Sequence, residues 1–464
     1  MRQHRTNDRA HNTQKYLNKQ QRSNRTSIVI ATAFALLAIA TPAVVAQEKW
    51  RTSLLKISPA SQDPSRSVTP PANRLLTLSE AVQIFMKQNL QLIAARYDID
   101  TAEAEKITAR LRPNPQLQIG SSDLPATFSG NLIKEQTYDY GISQTFELGG
   151  KRNKRIEVAN ANADLARGQF EITIWQLTND LKKKFYTVLL NQSLLSLAKE
   201  NQKTFDELLK DSSELVRVGE IAGLDLKRLE VERLKFDTDV ANAERDYEVA
   251  LRDLRVTLGG DYRAMEVSVD GTLDYQPYSF SLAELRETSL AARPDLKAAH
   301  LSERAADASI RLQNAQRIPD LSLGGGIEQV PEGNNSFFFG VGFDLPVHNR
   351  NQGERAKALI EKQKAQTQQQ LLTNQVLSDV DKALVAFQMQ KRRVELYQTG
   401  VLTKVDDIQK LTEVALKAGE SSTLELLDAI RTRRETLASY YQTLFDYEMA
   451  LLDLELATAT PLQK

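Results

Sequence analysis

The chain lacks cysteine, long apolar runs and, over two extended stretches, proline, and each absence narrows the possible structures. With no cysteine in 464 residues, disulfides, thiolate metal sites, cysteine nucleophiles and a lipid on an N-terminal cysteine are excluded. Proline is absent from 126 to 276 and from 347 to 460. Beyond residue 46, no apolar run reaches the ~20 residues of a membrane-spanning helix. A mature chain in a membrane is therefore expected to cross it as β-strands.

The segment 1–46 has the composition of a secretory signal peptide. Residues 1–26 carry seven basic side chains and one acidic one, an apolar run follows at 28–40, and small residues at 44–46 offer a cleavage site. The alternative is a membrane anchor, for which an apolar core of roughly 13–18 residues is short. Removal of 1–46 leaves a net charge of −6, which provides no basic surface for nucleic acid.

The chain contains a long internal repeat. TLSEA at 77–81 returns as SLAEL at 281–285, and DYEVALRDL at 246–254 returns as DYEMALLDL at 446–454. A unit this long is a duplicated structural half rather than a solenoid repeat. We therefore predict an extended N-terminal strap, a first repeat, a linker, a second repeat and a short tail, at 47–74, 75–260, 261–280, 281–458 and 459–464.

Each repeat is predicted to contain a long helical hairpin. The proline-free stretches are rich in Ala, Leu, Glu, Lys and Gln, and their apolar residues recur at spacings of three and four. Glycine-containing breaks predict hairpins at 150–258 and 351–457, with tips near Gly219 and Gly419. The long arm of each hairpin is predicted to run unbroken to its tip, and the second one to end at Lys417. A shorter helix precedes each hairpin, at 78–112 and 282–317, and is expected to stack end to end with its short arm.

Between these helices, apolar and polar residues alternate. The pattern at 137–148 returns at 337–345, with aromatic residues on the apolar side, and predicts β-hairpins at 115–148 and 319–346. One such hairpin alone would favour a soluble core, whereas two matching hairpins behind a signal peptide favour a transmembrane barrel. Four strands cannot close a barrel, so several chains must share one. The residues leave the number of chains open at two, three or four.

The most specific motifs lie where the predicted strands meet the long helices. They are QTFELGGKR at 144–152 and LPVHNRNQG at 345–353. Together with two tips in which an acid follows a glycine by six positions, these motifs resemble the TolC-like outer membrane efflux proteins, and among them the CzcC-like heavy-metal branch, over about 75–458. The resemblance implies a mainly α fold with a small β part. Long antiparallel helical hairpins would form a periplasmic α-barrel, and four strands per chain would contribute to a shared trimeric transmembrane β-barrel.

The resemblance also implies a function and its partners. The chain would be the outer membrane exit duct of a tripartite RND-type efflux system and a passive conduit for heavy-metal cations. It would assemble as a homotrimer in outer membrane lipid and contact a periplasmic adaptor coupled to an inner-membrane RND pump. Multidrug efflux and type I secretion are alternatives within the same fold. From other classes, an envelope coiled-coil protein would not need the amphipathic strands, and an adaptor would have one hairpin and additional small β-domains.

The functional residues implied by the resemblance lie at the hairpin tips. Asp225, Glu425 and Asp428 would form a pore constriction of carboxylates. The tip residues that contact the adaptor would be Gly219, Glu220, Gly419 and Glu420. From the residues alone, a solvated helix start explains the acids more simply, because acids are favoured there by the helix dipole. Ser421 stands where the multidrug members of the family often carry an arginine that pairs across the closed gate, so the resemblance does not extend to that latch.

Neither enzymatic nor metal-binding chemistry is predicted. The sequence shows no nucleophile paired with a base and no phosphate-binding loop. After position 46 only His300 and His348 are present, and neither has a partner at ligand spacing. We therefore expect no cofactor, no metal site and no nucleic-acid partner, and transported ions would pass without dedicated ligands.

Overall fold

The computed structural model describes residues 74–122, 137–219, 222–260, 267–330 and 335–462. The predicted signal peptide and nearly all of the predicted strap lie outside this part of the chain. The helices are α1 (Leu78–Gln88), α2 (Leu90–Arg110), α3 (Lys151–Val218), α4 (Gly223–Leu258), α5 (Leu282–Ala292), α6 (Pro294–Gln316), α7 (Gln352–Leu396), α8 (Leu402–Lys417) and α9 (Thr423–Thr458). The strands are β1 (Arg74–Leu76), β2 (Gln116–Ser122), β3 (Thr137–Phe146), β4 (Val267–Val269), β5 (Leu321–Gln329) and β6 (Asn335–Phe343).

The shorter helix of each repeat is divided in two, which corrects the prediction of single helices at 78–112 and 282–317. Asn89 has an extended backbone that ends α1, and its Oδ1 atom accepts a hydrogen bond from the Leu92 N–H at 2.9 Å, which caps α2. Its Nδ2 atom donates to the carbonyl of Thr257, in the last turn of α4, at 2.6 Å. In the second repeat Pro294 begins α6, because a proline fits the first turn of a helix but cannot continue a preceding one.

The long arms of the two hairpins differ. α3 is unbroken over 68 residues, which corresponds to about 100 Å. Its counterpart in the second repeat is interrupted between α7 and α8 by a π-helical turn, Tyr397–Val401. The prediction of an unbroken helix to Lys417 is therefore wrong. The reason is Gly400, whose φ of 154° is a backbone conformation that other residues rarely adopt.

Both β-hairpins belong to one antiparallel sheet, in the order β2-β3-β5-β6. The central pairing of β3 with β5, which sets Gly141 opposite Gly326, joins the two repeats. Residues that lie opposite one another on neighbouring strands form a row across the sheet. The side chains of one row share a face, and those of the adjacent row point to the other face. One row is Ile119, Tyr140, Ile327 and Phe337, and the adjacent row is Gly120, Asp139, Glu328 and Ser336. The sheet therefore has one mainly apolar face, and the other face is polar apart from Phe338.

The main buried core lies where α1, α3, α4, α7 and α9 meet the parallel strand pair β1 and β4. Tyr447, Phe85 and Phe387 are among its largest fully buried side chains, and the Tyr447 hydroxyl donates to the Gln276 carbonyl. α3 contacts α2 and α4 of its own repeat and α6 and α9 of the other. In the described part of the chain, no helix combines the length and the apolar character needed to span a membrane.

Candidate functional site

Each helical hairpin turns at a glycine in the left-handed conformation. Gly219 (φ 83°) follows α3, and Gly419 (φ 74°) follows α8. A Cβ atom at either position would meet nothing within 4 Å, so only the backbone conformation requires glycine. In the second tip the N–H of Glu420 donates to the Ala415 carbonyl at 2.8 Å, a bond that closes the end of the helix. Glu220 of the first tip lies outside the described residues.

A small buried cluster joins the two hairpins near their tips. Its members are Phe205, Leu229, Phe236, Leu426 and Ile430. Arg434 of α9 forms an ion pair with Asp239 of α4 at 2.8 Å, and its guanidinium carbon lies 5.4 Å from the centre of the Phe236 ring. The tips of both repeats, and with them the predicted constriction residues, therefore lie at the same end of the molecule.

Glu425 forms a capping box at the start of α9. Its Oε2 atom accepts hydrogen bonds from the Ser421 hydroxyl at 2.6 Å and from the Ser422 N–H at 2.9 Å, and the Ser422 hydroxyl accepts one from the Glu425 N–H at 3.3 Å. The bond from Ser421, followed by that from the Ser422 backbone, holds the pKa of Glu425 below its ordinary value. The signal for this role was present in the sequence as a serine followed three positions later by a glutamate.

The acids of the two tips differ in their partners. Asp225, in the first turn of α4, forms an ion pair with Arg228 at 3.2 Å, which compensates its charge. Asp428 is exposed, and neither it nor Glu425 has an ion pair within the described residues. The second tip therefore presents two carboxylate charges, whereas the corresponding positions of the first tip carry one negative and one positive charge.

A second polar arrangement lies where the sheet meets the helices. Arg155 of α3 binds Glu147 through both terminal nitrogens, at 2.5 and 3.1 Å, and donates to the Leu111 carbonyl at 2.9 Å. Arg152 donates through Nε to the Arg110 carbonyl at 2.8 Å. Both guanidinium groups thus satisfy carbonyls at the end of α2. Sequence reasoning missed this role, because the carbonyls lie more than forty positions away along the chain.

The two histidines lie apart and make polar contacts with glutamines. A ring nitrogen of His300 lies 3.2 Å from Gln369 Nε2, and the His348 carbonyl accepts a hydrogen bond from the side chain of Gln352. Among the residues that the structure describes, no group of three or more histidine, aspartate or glutamate side chains could hold a metal ion.

Two helical hairpins that turn at glycines, joined to a four-stranded sheet with one apolar face, define a TolC-like fold. The model of the outer membrane efflux protein family matches residues 81–260 and 285–460, and the chain belongs to this family. The resemblance inferred from the motifs is confirmed. The chain is an outer membrane efflux channel, with its long helices extending into the periplasm.

Individual relatives agree with this assignment. The chain is 26% identical over 392 residues to the cobalt-zinc-cadmium resistance protein CzcC of Cupriavidus metallidurans. This alignment covers 84% of this chain and 88% of the relative. It is 23% identical over 405 residues to the cation efflux system protein CusC of Escherichia coli, covering 83% and 86%. A crystal structure of CusC superposes with a TM-score of 0.69 at 18% identity, covering 83% of this chain and 92% of that one. The CmeC outer membrane channel of Campylobacter jejuni superposes with a TM-score of 0.67 at 16% identity, covering 82% and 85%.

Proposed function

We propose that this chain is the outer membrane exit duct of a tripartite RND-type efflux system and conducts heavy-metal cations. The observation that carries the proposal is the pair Glu425 and Asp428, which has no ion pair within the described residues. Carboxylates repeated around a pore axis attract cations and repel anions. The similarity to a cobalt-zinc-cadmium resistance protein over most of both chains supports metal cations, rather than drugs or secreted proteins, as the cargo.

The constriction is tested by removing its charge without removing the helix cap. In the double variant Glu425→Gln and Asp428→Asn, glutamine still caps α9, because a capping box accepts either Glu or Gln. We expect the cation-over-anion permeability ratio in planar bilayers to fall about fivefold, which corresponds to about 1 kcal/mol of lost attraction.

The matched control removes two exposed acids far along the chain from the tips, Glu354→Gln with Glu361→Gln, and is expected to leave the ratio unchanged. Unaltered selectivity in the tip variant would contradict the constriction. If the full-length chain neither inserts into bilayers nor conducts ions, the alternative of an envelope coiled-coil protein would be favoured instead.

The proposal includes a homotrimer and tip contacts with an adaptor. Among the residues that the structure describes, β2 and β6 end the sheet with unpaired edges, and open edges are not tolerated in lipid, so neighbouring chains must pair with them. Family membership supports three chains and twelve strands. The proposed contacts of the periplasmic adaptor are Gly219, Glu220, Gly419 and Glu420. Native mass spectrometry of the detergent-solubilised full chain should give the mass of three protomers, and a stable monomer or dimer would overturn the trimer.

The division into tandem repeats at 75–260 and 281–458, separated by a linker at 261–280, is part of the same proposal. It is supported by the order of elements, since each repeat contains two short helices, a β-hairpin and a helical hairpin in that sequence.

A further inference from the structure

A cleft of about 510 Å³ lies where the sheet meets the helices, between the end of α2, the end of β3 and the start of α3. It is lined by Arg112, by Gln144 and Phe146 of β3, by Glu147, and by Arg152 and Asn153 of α3. Because the strands are the membrane part of this fold and the helices its periplasmic part, the cleft lies at the periplasmic surface of the outer membrane.

The charge of the cleft is positive. The single carboxylate of its lining, Glu147, is already neutralised by the two bonds from Arg155. Arg112 and Arg152 have no acidic partner within the described residues, and Arg152 uses only its Nε atom, on the Arg110 carbonyl. Two guanidinium groups therefore line the cleft without a counter-charge, and a guanidinium group matches the geometry of a phosphate.

The cleft is continuous with the apolar face of the sheet. Phe146 and Gln144 line it, and the alternation along β3 places Ile142 and Tyr140 on the same face, beyond Gln144. The side chains of Phe146, Ile142 and Tyr140 are 46%, 46% and 44% exposed. A ligand seated at the two arginines can therefore extend an apolar portion along this face, towards the interior of the bilayer.

We propose that this cleft binds the phosphate of a phospholipid from the periplasmic leaflet, with the acyl chains lying along the apolar face of β3. A free phosphate would match the arginines but would leave the adjoining apolar face without a partner. A lipid satisfies both surfaces, and the bound phospholipid would fix the depth of the barrel in the membrane. This site depends on the membrane location of the fold and not on the cargo.

The test is native mass spectrometry of the full-length detergent-solubilised channel titrated with dioleoylphosphatidylglycerol. We expect one tightly bound lipid per protomer. Because an arginine near an anionic membrane surface contributes about 1 kcal/mol, Arg112→Gln should weaken binding about fivefold, and Arg112→Gln with Arg152→Gln roughly 30-fold. Arg112→Lys keeps the charge but lacks the planar fork of the guanidinium group, so its affinity should lie between those of the unmodified chain and Arg112→Gln.

The matched control is Arg304→Gln on α6, which removes an exposed arginine that has no ion pair within the described residues and does not line the cleft. It should bind the lipid as the unmodified chain does. Equal lipid affinity in the Arg112 and Arg152 variants would overturn the proposal. Displacement of the lipid by equimolar inorganic phosphate would overturn it in favour of a soluble-anion pocket.

Misfolding of a variant and failure of the proposed cation pathway can both be told apart from loss of the lipid site. Arg112 makes no hydrogen bond within the described residues, so its single variant tests the site even if Arg152→Gln weakens the end of α2 and fails to fold. Lipid affinity is measured separately from ion selectivity, so failure of the lipid site and failure of the proposed cation pathway give different results.

Discussion

At the residue scale, Glu425 combines a local and a global role. Its carboxylate caps α9 through Ser421 and Ser422, and it is also a proposed member of the constriction. The interpretation as a helix start and the interpretation as a pore ring are thus compatible, because a carboxylate that accepts hydrogen bonds in a cap retains its negative charge. Asp428 has no such capping role within the described residues, so a substitution of Asp428 tests the proposed constriction without disturbing the helix cap.

The cap predicts a pH dependence at this end of α9. Since the pKa of Glu425 is lowered in the folded chain, its stabilising contribution is fully present above its ordinary pKa of about 4.5 and is lost as the pH falls through the lower, folded value. We expect amide exchange at the first turn of α9 to become faster as the pH falls below that ordinary value, after correction for intrinsic rates.

A cap variant supplies the comparison. Ser422→Ala should speed exchange in the same turn at neutral pH, as loss of a cap costs about 1 kcal/mol. Ser196→Ala, at an exposed position of α3, should not change it. If amide exchange at this turn changes neither with acid nor with Ser422→Ala, the capping box contributes nothing to the stability of the turn.

At the element scale, the interruption of the second long arm is the main difference between the repeats. α3 is continuous, whereas α7 and α8 meet at the π-helical turn that contains Gly400. The Thr399 hydroxyl donates to the Glu395 carbonyl at 2.8 Å, and Gln398 lies 3.3 Å from the Tyr440 hydroxyl of α9. A π turn stores backbone strain that the surrounding contacts must hold in place.

We predict that Gly400→Ala destabilises this turn by about 1–3 kcal/mol, because alanine rarely adopts the required φ although there is room for its side chain. Hydrogen exchange across Tyr397–Val401 measures the effect. Gly353→Ala in α7 is the matched control, since its φ is not positive and nothing lies within 4 Å, so alanine should stabilise that helix by up to about 1 kcal/mol. The same sign of effect for both substitutions would argue against strain at Gly400.

At the scale of the whole molecule, the buried cluster near the tips couples the two hairpins. Leu229 of the first repeat and Leu426 of the second are both almost fully buried in it. The nearby Arg434–Asp239 ion pair is partly exposed and is expected to add little. Apolar packing, rather than charge pairing, therefore holds the two tips together.

Leu426→Ala should cost about 2–5 kcal/mol and loosen the contact between the hairpins. We expect a lower midpoint of thermal unfolding and a higher basal conductance in planar bilayers. Leu424→Ala, two positions away and exposed, should change stability by less than about 0.5 kcal/mol. If Leu426→Ala lowers the unfolding midpoint but leaves conductance unchanged, the cluster is structural and does not control the opening.

Much of this architecture is determined locally and can be predicted from the sequence. The proline-free stretches predict the long helices, Gly219 and Gly419 mark their turns, and the alternation along β3 and β6 separates the two faces of the sheet. These features depend on residues within one or two turns or within one strand, so periodicity and backbone preference are sufficient to define them.

Other features were decided only by tertiary structure. Asn89 ends a helix, and its side chain also reaches the Thr257 carbonyl. Arg155 reaches the end of α2, and β3 pairs with β5 of the other repeat. Each of these contacts joins positions far apart along the chain, and no local pattern specifies which distant carbonyl or strand will be the partner. The sequence by itself determined the long helices, their glycine turns and the alternating faces of the strands, although it did not predict the divisions at Asn89, Pro294 and Gly400. Packing decided which elements meet, because a contact depends on the positions of both partners.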